Sequence, residues 1–258
     1  MLGSQRRALI LRLVQESGAV RVADLVDQLE VSDMTVRRDI ERLSADGLLE
    51  RVHGGAIAIG GRTGEEPGFT AKAALALAEK QAIARAAARL VEPGSTVGIS
   101  AGTTTFELAR AVRDVRDLTV VTNSVPVAQL LHDADTPGQT VVLTGGVRTP
   151  SDALVGPVAV GALRTLHVDL LFLGAHGIET RAGLTTPNLV EAETNRALVA
   201  CAQDVCVVAD SSKWGTVGLA TFADLVDVDV LVTDSGLPPG ARTALADAVG
   251  TLEIVEAR

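Results

Sequence analysis

"VSDMTVRRDIERLSADGLLERVHGGAI", residues 31–57, sets Arg37 beside Arg38, follows them with Arg42 and Arg51, and closes on His53 and two glycines. The chain around it is acidic: 23 lysines and arginines face 32 acids, a formal net charge of −9 over 258 residues. Cations gathered in an acidic chain call for a local explanation, and helical periodicity supplies one. Val36, Ile40 and Leu43 recur at i, i+4 and i+7 and form an inward stripe. At about 100° per residue, Met34, Arg38 and Glu41 fall opposite that stripe, with Thr35 and Arg42 on one flank and Arg37 on the other. Ser32 or Asp33 caps the start, and Gly47 stands just past the end near Ala45. Asp39 falls beside the stripe, where it can hold an arginine in place.

Two shorter helical patterns precede this one. Residues 5–17 carry Ile10, Leu13 and Val14 on one face and stop at Ser17-Gly18; residues 22–29 carry Val22, Leu25, Val26 and Leu29. Glu30-Val31-Ser32 then makes a tight turn. Two helices crossed about a short turn are the helix-turn-helix arrangement, whose second helix enters the DNA major groove N-terminal half first. There Arg can make two hydrogen bonds to guanine, and Thr can meet a thymine methyl or a phosphate. Residues 48–52 and 56–59 around His53-Gly54-Gly55 read as a short hairpin, a wing that lays Arg51 and His53 against the phosphates or the minor groove. The expected DNA contacts are therefore Ser32, Thr35, Arg37, Arg38, Arg42, Arg51 and His53, with double-stranded DNA as the partner. The competing reading is a three-helix protein-contact module with solvated arginines. Charge distribution does not oppose DNA binding: residues 1–60 hold eight arginines against nine acids, and the other residues hold 15 bases against 23 acids.

Hydrophobic residues make up 47% of the chain and aromatics only 2%, so Ala, Val, Leu and Ile must build the core. No apolar run approaches the roughly 20 residues of a membrane span. The basic-then-apolar start, MLGSQRRALILRLVQESG, is interrupted by Arg12, Gln15 and Glu16 and has no convincing cleavage site, so it reads as an amphipathic helix of a soluble cytoplasmic protein. Cys201 and Cys206 lack CxxC spacing and read as small buried hydrophobes. Residues 59–71, with glycines, a proline and no periodicity, read as a linker between a first domain at 1–58 and a second at 72–258.

The second domain opens with an Ala-rich helix, about 72–91. Seven short β-branched runs follow: 95–100, 118–124, 140–146, 168–177, 204–212, 228–234 and 251–256. Helical stretches at 103–113, 125–132, 155–166, 188–202 and 239–249 lie between most of them. The alternation predicts an α/β fold with a mainly parallel sheet. Such sheets bind ligands at the carboxyl ends of their strands. The sharpest feature there is Ser100-Ala101-Gly102-Thr103-Thr104-Thr105, a strand end opening a helix. Its unpaired N–H groups, glycine and hydroxyls suit a phosphate. Neither GxxxxGK[ST] nor GxGxxG is present. Asn123-Ser124, Gly145-Gly146, His176 and Lys213 follow other strands, and Lys213 is one of three lysines in the chain. A carboxylate at Glu191 can accept sugar hydroxyls; Glu193 reads as a favourable charge on a helix's first turn. His176 has no companion ligand in sequence, so no metal site is expected. No nucleophile–base pair, and hence no catalytic residue or cofactor, is visible.

Two sets of residues also resemble a known family. Val31-Ser32, Thr35–Ile40, Leu43, Gly47-Leu48-Leu49, Arg51 and His53–Ala56 resemble the winged helix-turn-helix of the DeoR/GlpR family of bacterial transcription repressors. Gly102–Thr105, Thr122-Asn123-Ser124, Thr144-Gly145-Gly146, Gly174, Gly177, Glu191-Ala192-Glu193, Arg196 and Asp210–Lys213 resemble its sensor domain. The resemblance implies operator reading by a homo-oligomer, a second domain with a fold similar to ribose-5-phosphate isomerase, and a phosphorylated sugar effector whose binding generally relieves repression. Asn195 departs from the lysine the family commonly carries there, which puts effector affinity or choice in question. The alternative function is a sugar-phosphate isomerase with an appended DNA-binding module.

Overall fold

The computed structural model describes residues 3–17, 19–45, 48–52, 54–58, 69–73 and 76–257. The chain forms two compact units, residues 1–75 and 76–258.

In the first unit, α1 (Gly3–Ser17) leads through β1 (Ala19–Arg21) to α2 (Val22–Leu29), α3 (Asp33–Ala45), β2 (Leu49–Val52), β3 (Gly55–Ala58) and α4 (Phe69–Ala73). The anticipated apolar faces of the three helices meet: Ile10, Val14, Val22, Leu25, Leu29, Val36, Ile40 and Leu43 are buried together, with Leu49 and Ala56 closing the cluster from the hairpin. Glu30 ends α2 in the left-handed region at φ 52°, and that reversal makes the turn into α3. Ser32 serves as the cap, its carbonyl accepting from the N–H of Thr35 and Val36. The wing has three strands, ordered β1-β3-β2 and antiparallel. Sequence reading missed β1, whose three residues are too few for a period to show. Gly55 is what admits it: a Cβ there would lie 2.2 Å from the Val20 carbonyl oxygen. The expected stops at Gly18 and Gly47, the wing residue His53 and most of the linker lie outside the described residues.

Asp39 is buried in this unit and holds two cations of α1: Arg6 Nε lies 2.5 Å from Oδ2, and Arg7 Nη1 lies 3.5 Å from Oδ1. A carboxylate inside α3 thus fastens the first helix to the third.

The single helix expected over 72–91 is instead interrupted. Ala76 adopts φ 49°, ψ 41°, a conformation that breaks an α-helix and that non-glycine residues seldom take. Beyond it run α5 (Leu77–Ala87) and a 3-10 turn, Ala88–Leu90. The second unit continues through β4 (Thr96–Ile99), α6 (Thr103–Val112), β5 (Thr119–Thr122), α7 (Val125–Ala134), β6 (Thr140–Leu143), β7 (Val147–Arg148), β8 (Leu154–Val155), α8 (Pro157–Leu163) and β9 (Val168–Leu173). Then come β10 (Gly177–Glu179), β11 (Gly183–Thr186), α9 (Leu189–Ala200), β12 (Ala202–Val208), β13 (Ala220–Ala223), β14 (Val230–Asp234), α10 (Pro239–Ala246) and β15 (Thr251–Val255).

All seven anticipated strands join one sheet, ordered β15-β14-β12-β9-β4-β5-β6, and each neighbouring pair is parallel. Both faces are covered, so the strands read as nearly continuous apolar runs. Alternate residues serve opposite layers. Phe172, Cys206, Val208 and Val120 pack with Ile83, Leu108 and Leu131 of α5, α6 and α7. Leu171, Leu173, Val205 and Val121 pack with Leu163, Leu198 and Leu245 of α8, α9 and α10. Cys201 and Cys206 are free and buried, and burial pushes the Cys206 thiol up to about 12. A small antiparallel sheet, β10-β11-β13, was not anticipated; its glycine-rich, short strands carry little apolar periodicity.

Asp39→Ala is expected to cost about 2 kcal/mol, the scale for removing a buried acceptor from charged donors. Native-state hydrogen exchange should show the loss in α1 and α3, with α5–α10 unchanged.

Candidate functional site

On α3, Met34, Arg37, Arg38 and Arg42 are exposed and Thr35 is half-buried. The structure separates the arginines that sequence had grouped. Arg37 grips Asp33 with Nε 2.5 Å from Oδ1 and Nη2 3.2 Å from Oδ2, and this hydrogen bonding holds its pKa above the ordinary value. Arg51 on β2 reaches Glu41 on α3 at 2.6 Å, tying the wing to the helix. Among the described residues, Arg38 and Arg42 enter no ion pair. Standing four residues apart, they share one face as the helix's uncommitted cations. Ser32 and Thr35 hydroxyls pair with each other at 2.8 Å. Met34 is 77% exposed, and sequence reading placed it outward without assigning it a role. An apolar side chain at the front of such a helix suits a thymine methyl.

In the second unit, the chain moves from β4 outward to β5 and β6, then returns to the other side of β4 as β9. The sheet therefore reverses direction between β4 and β9, and the crevice at their carboxyl ends is where open α/β sheets hold ligands. The loops after β12, β9, β4, β5 and β6 stand side by side there, and they carry Lys213, His176, Ser100–Thr105, Asn123-Ser124 and Gly145-Gly146.

Several of these residues frame the crevice. Ser100 Oγ accepts the Gly174 N–H at 3.0 Å, joining the β4 and β9 loops. Asn123 Oδ1 accepts the Ala101 N–H at 2.9 Å, and its Nδ2 donates to the Leu154 carbonyl at 3.2 Å. Ser124 caps α7 by accepting from Val127 N–H. All three are buried, so their polar groups are spent on shape. Thr105 is fully buried and donates to the Gly102 carbonyl at 3.0 Å. Gly146 answers a packing need: a Cβ there would lie 2.6 Å from the Val155 carbonyl oxygen.

The start of α6 is different. Gly102 has φ 156°, ψ 159°, and no side chain caps the helix. Among the described residues, the N–H groups of Thr103, Thr104 and Thr105 find no acceptor. Three aligned donors at the positive end of a helix dipole are an anion cradle. Thr103 is half-exposed beside them.

Cations stand near the same rim. Lys213 is half-buried in the 3-10 turn after β12, and Lys80 in the first turn of α5 is only 3% exposed. Helix α5 packs against β12 and β14, and the charge of Lys80 reaches Asp210 just beyond the end of β12; Gln81 beside it donates to Glu107 of α6 at 3.3 Å. Asp210 lies between these charges. Its burial opposes ionisation, but Lys213, the Ser212 hydroxyl and Lys80 together hold its carboxyl below the usual range. Sequence reading missed Lys80, although its spacing to Ile83, Ala84 and Ala87 places it on the apolar face of α5, an unusual address for a lysine.

Glu191 differs from expectation. It is buried, and its carboxylate accepts hydroxyls from Ser151 at 2.7 Å, Thr186 at 2.9 Å and Thr149 at 3.4 Å. The oxygens assigned to a sugar are held by the protein's own hydroxyls, which tie the β7–β8 connection to the start of α9. His176 is half-buried, and its backbone N–H donates to Thr185 at 3.2 Å. Among the described residues, no group of three or more His, Cys, Asp or Glu side chains is placed to hold a metal ion.

Comparison with known proteins assigns the two parts of the chain to two domain families. Residues 6–61 match the DeoR-like helix-turn-helix domain, and residues 76–235 match the DeoR C terminal sensor domain. The chain belongs to the DeoR family of transcriptional regulators. Relatives align over nearly their full length. The HTH-type transcriptional regulator GlpR of Haloferax volcanii is 39% identical, covering 96% of both chains. The uncharacterized HTH-type transcriptional regulator YgbI of Escherichia coli K12 is 37% identical, covering 95% of both. The putative aga operon transcriptional repressor of Escherichia coli O157:H7 is 36% identical, covering 95% of this chain and 91% of that one. Among solved structures, ribose 5 phosphate isomerase A from Neisseria gonorrhoeae aligns with 53% of each chain at 16% identity and a TM-score of 0.39, too distant to bear on function.

Framing and binding residues are separable by stability. Asn123→Ala is expected to destabilise the second unit by about 2–3 kcal/mol, read from the fluorescence of Trp214 during urea unfolding. Lys213→Ala should stay within about 0.5 kcal/mol of the parent.

Proposed function

We infer that the chain is a cytoplasmic repressor and not an enzyme. As a homo-oligomer it presents paired winged units to operator half-sites, and a phosphorylated sugar at the strand-end rim controls that grip. The observation that carries the reading is the uncapped start of α6: three backbone donors without acceptors among the described residues, with Lys80 and Lys213 nearby, in the same chain as a helix whose Arg38 and Arg42 enter no ion pair among those residues.

The residues divide the work. Arg38 and Arg42 meet DNA with no ion-pair partner to displace among the described residues, so their charge is available to phosphates and base edges. Arg37 and Arg51 must exchange Asp33 and Glu41 for DNA, which lowers their net gain. Met34 and Thr35 supply apolar contact and a hydroxyl at the leading end, and Ser32 a hydroxyl beside them.

At the rim, the Gly102–Thr105 start of α6 takes the phosphate, with Lys213 and Lys80 balancing its charge. Gly145, Gly146 and His176 border the space for the sugar. Effector hydroxyls compete with Thr149, Ser151 and Thr186 for Glu191. That exchange distinguishes two arrangements of the β7–β8 connection. An effector releases the operator only through such a difference in affinity between the DNA-competent arrangement and another. A hundredfold preference is worth about 2.7 kcal/mol and suffices for substantial release.

Two measurements test this. Arg38→Ala should weaken binding to a fragment of the chain's own promoter about tenfold and reduce the salt slope by about one, in fluorescence anisotropy; binding that ignores the substitution removes α3 from the interface. In a thermal-shift panel, one or more phosphorylated sugars should raise the melting temperature. The unphosphorylated sugar should not, and Thr103→Asp, which places a carboxylate at the cradle, should abolish the shift. An equal shift with free sugar would remove the phosphate from the account. Incubation with ribose 5-phosphate should give no isomerised product.

A further inference from the structure

A cavity of about 360 Å³ lies between α8 and α9, away from the strand-end rim. His167 at its edge immediately precedes β9, and Cys201 in its wall immediately precedes β12, so it opens beside the amino ends of those strands. The rim lies at their carboxyl ends, a strand length or about 20 Å away. The cavity therefore cannot be a lobe of the phosphate cradle, and its chemistry differs. Val160, Leu163, Ala197 and Ala200 make an apolar lining. Arg164, His167 and Arg196 stand over it, with Glu193 as the one acid among the residues that line it.

The charges are arranged to be used. Among the described residues, neither Arg164 nor Arg196 is paired with a carboxylate, and Glu193 is bonded to neither. Arg196 donates one guanidinium N–H to the Thr221 carbonyl, which fixes the head group and leaves its other donors available. Arg164 follows the last turn of α8, where a cation is favoured by the helix dipole and is oriented without an acid. A concave apolar space of this size with a few convergent polar groups is the ordinary form of a small-molecule site. A sugar phosphate fits it poorly, because the five aliphatic side chains of the lining, Leu166 among them, offer its hydroxyls nothing. Two guanidiniums against one carboxylate leave a net positive mouth, which selects an anion.

We propose that this cavity is a second ligand site, for a small amphipathic carboxylate whose apolar body enters between α8 and α9 and whose carboxylate meets Arg164 and Arg196. The site is independent of the sugar-phosphate reading and stands if that reading fails.

Octanoate tests it, with octanol as the neutral isostere, by calorimetric titration of the full chain. Octanoate should bind at one site per chain, and octanol at least tenfold more weakly. Arg164→Glu, an exposed substitution that leaves the core untouched, should weaken octanoate at least tenfold. Ala200→Trp should fill the mouth and abolish binding, with circular dichroism confirming the fold. Equal binding of acid and alcohol, octanoate binding unchanged in Arg164→Glu, or no binding of octanoate at millimolar concentration would each overturn the proposal. So would a parent chain that binds no octanoate but changes its assembly size in Arg164→Glu, which would make the groove a subunit contact.

Discussion

Two hydrogen bonds hold the strand-end rim in shape: Gly174 N–H to Ser100 Oγ, and Ala101 N–H to Asn123 Oδ1. They stitch β9 to β4 and β4 to β5 at the place where the sheet reverses its winding. A parallel sheet must splay its connections apart at such a reversal, and the resulting gap exposes backbone groups that would otherwise be paired. Side chains buried in the gap take up the Ala101 and Gly174 donors. The α6 donors are left over, and they are the ones aimed into the crevice. The crevice is thus a consequence of topology: what the frame satisfies becomes structure, and what it leaves unsatisfied is open to a ligand.

The first unit follows the same rule with charges in place of amides. Asp39 is buried and takes Arg6 and Arg7; Asp33 takes Arg37; Glu41 takes Arg51. These pairs set the geometry of α1, α3 and the wing. Exposed pairs of this kind contribute little to stability, so Asp33 and Glu41 are better understood as orienting their arginines. Among the described residues, Arg38 and Arg42 remain without acids, on the face of α3 turned away from the core. An acidic chain can in this way present a basic contact without any overall basicity.

Much of this was legible in the sequence because burial writes a period. The stripe Val36-Ile40-Leu43 located α3 and its outward face, and seven β-branched runs located every strand of the large sheet. Illegible features were those decided by partners distant in sequence. β1 exists because Gly55 lets Val20 approach. The break at Ala76 carries neither glycine nor proline to announce it. Lys80 was visible as a lysine on an apolar stripe, but its coupling to Asp210 needed β12 beside α5. The hydroxyls around Glu191 come from positions 149, 151 and 186, which no spacing rule brings together. By contrast, the tie between Arg37 and Asp33 is an i, i+4 pair and was open to reading from spacing alone.

The Glu191 arrangement bears on how a sensor of this build discriminates. A phosphate at a helix start is bound by backbone donors that are common to every conformation in which α6 is formed. Such contacts contribute affinity and almost no preference between conformations, and an equal affinity for two states shifts neither. Preference has to come from groups whose partners change. Glu191 is such a group, since its carboxylate is buried and satisfied by hydroxyls on the short segment between β7 and β8. Replacing those hydroxyls with ligand hydroxyls keeps the carboxylate hydrogen-bonded and leaves the segment untied, whereas removing them without replacement weakens the solvation of a buried charge. On the proposed reading, the phosphate sets how tightly an effector is held, while the hydroxyl pattern that Glu191 accepts sets whether holding it changes anything.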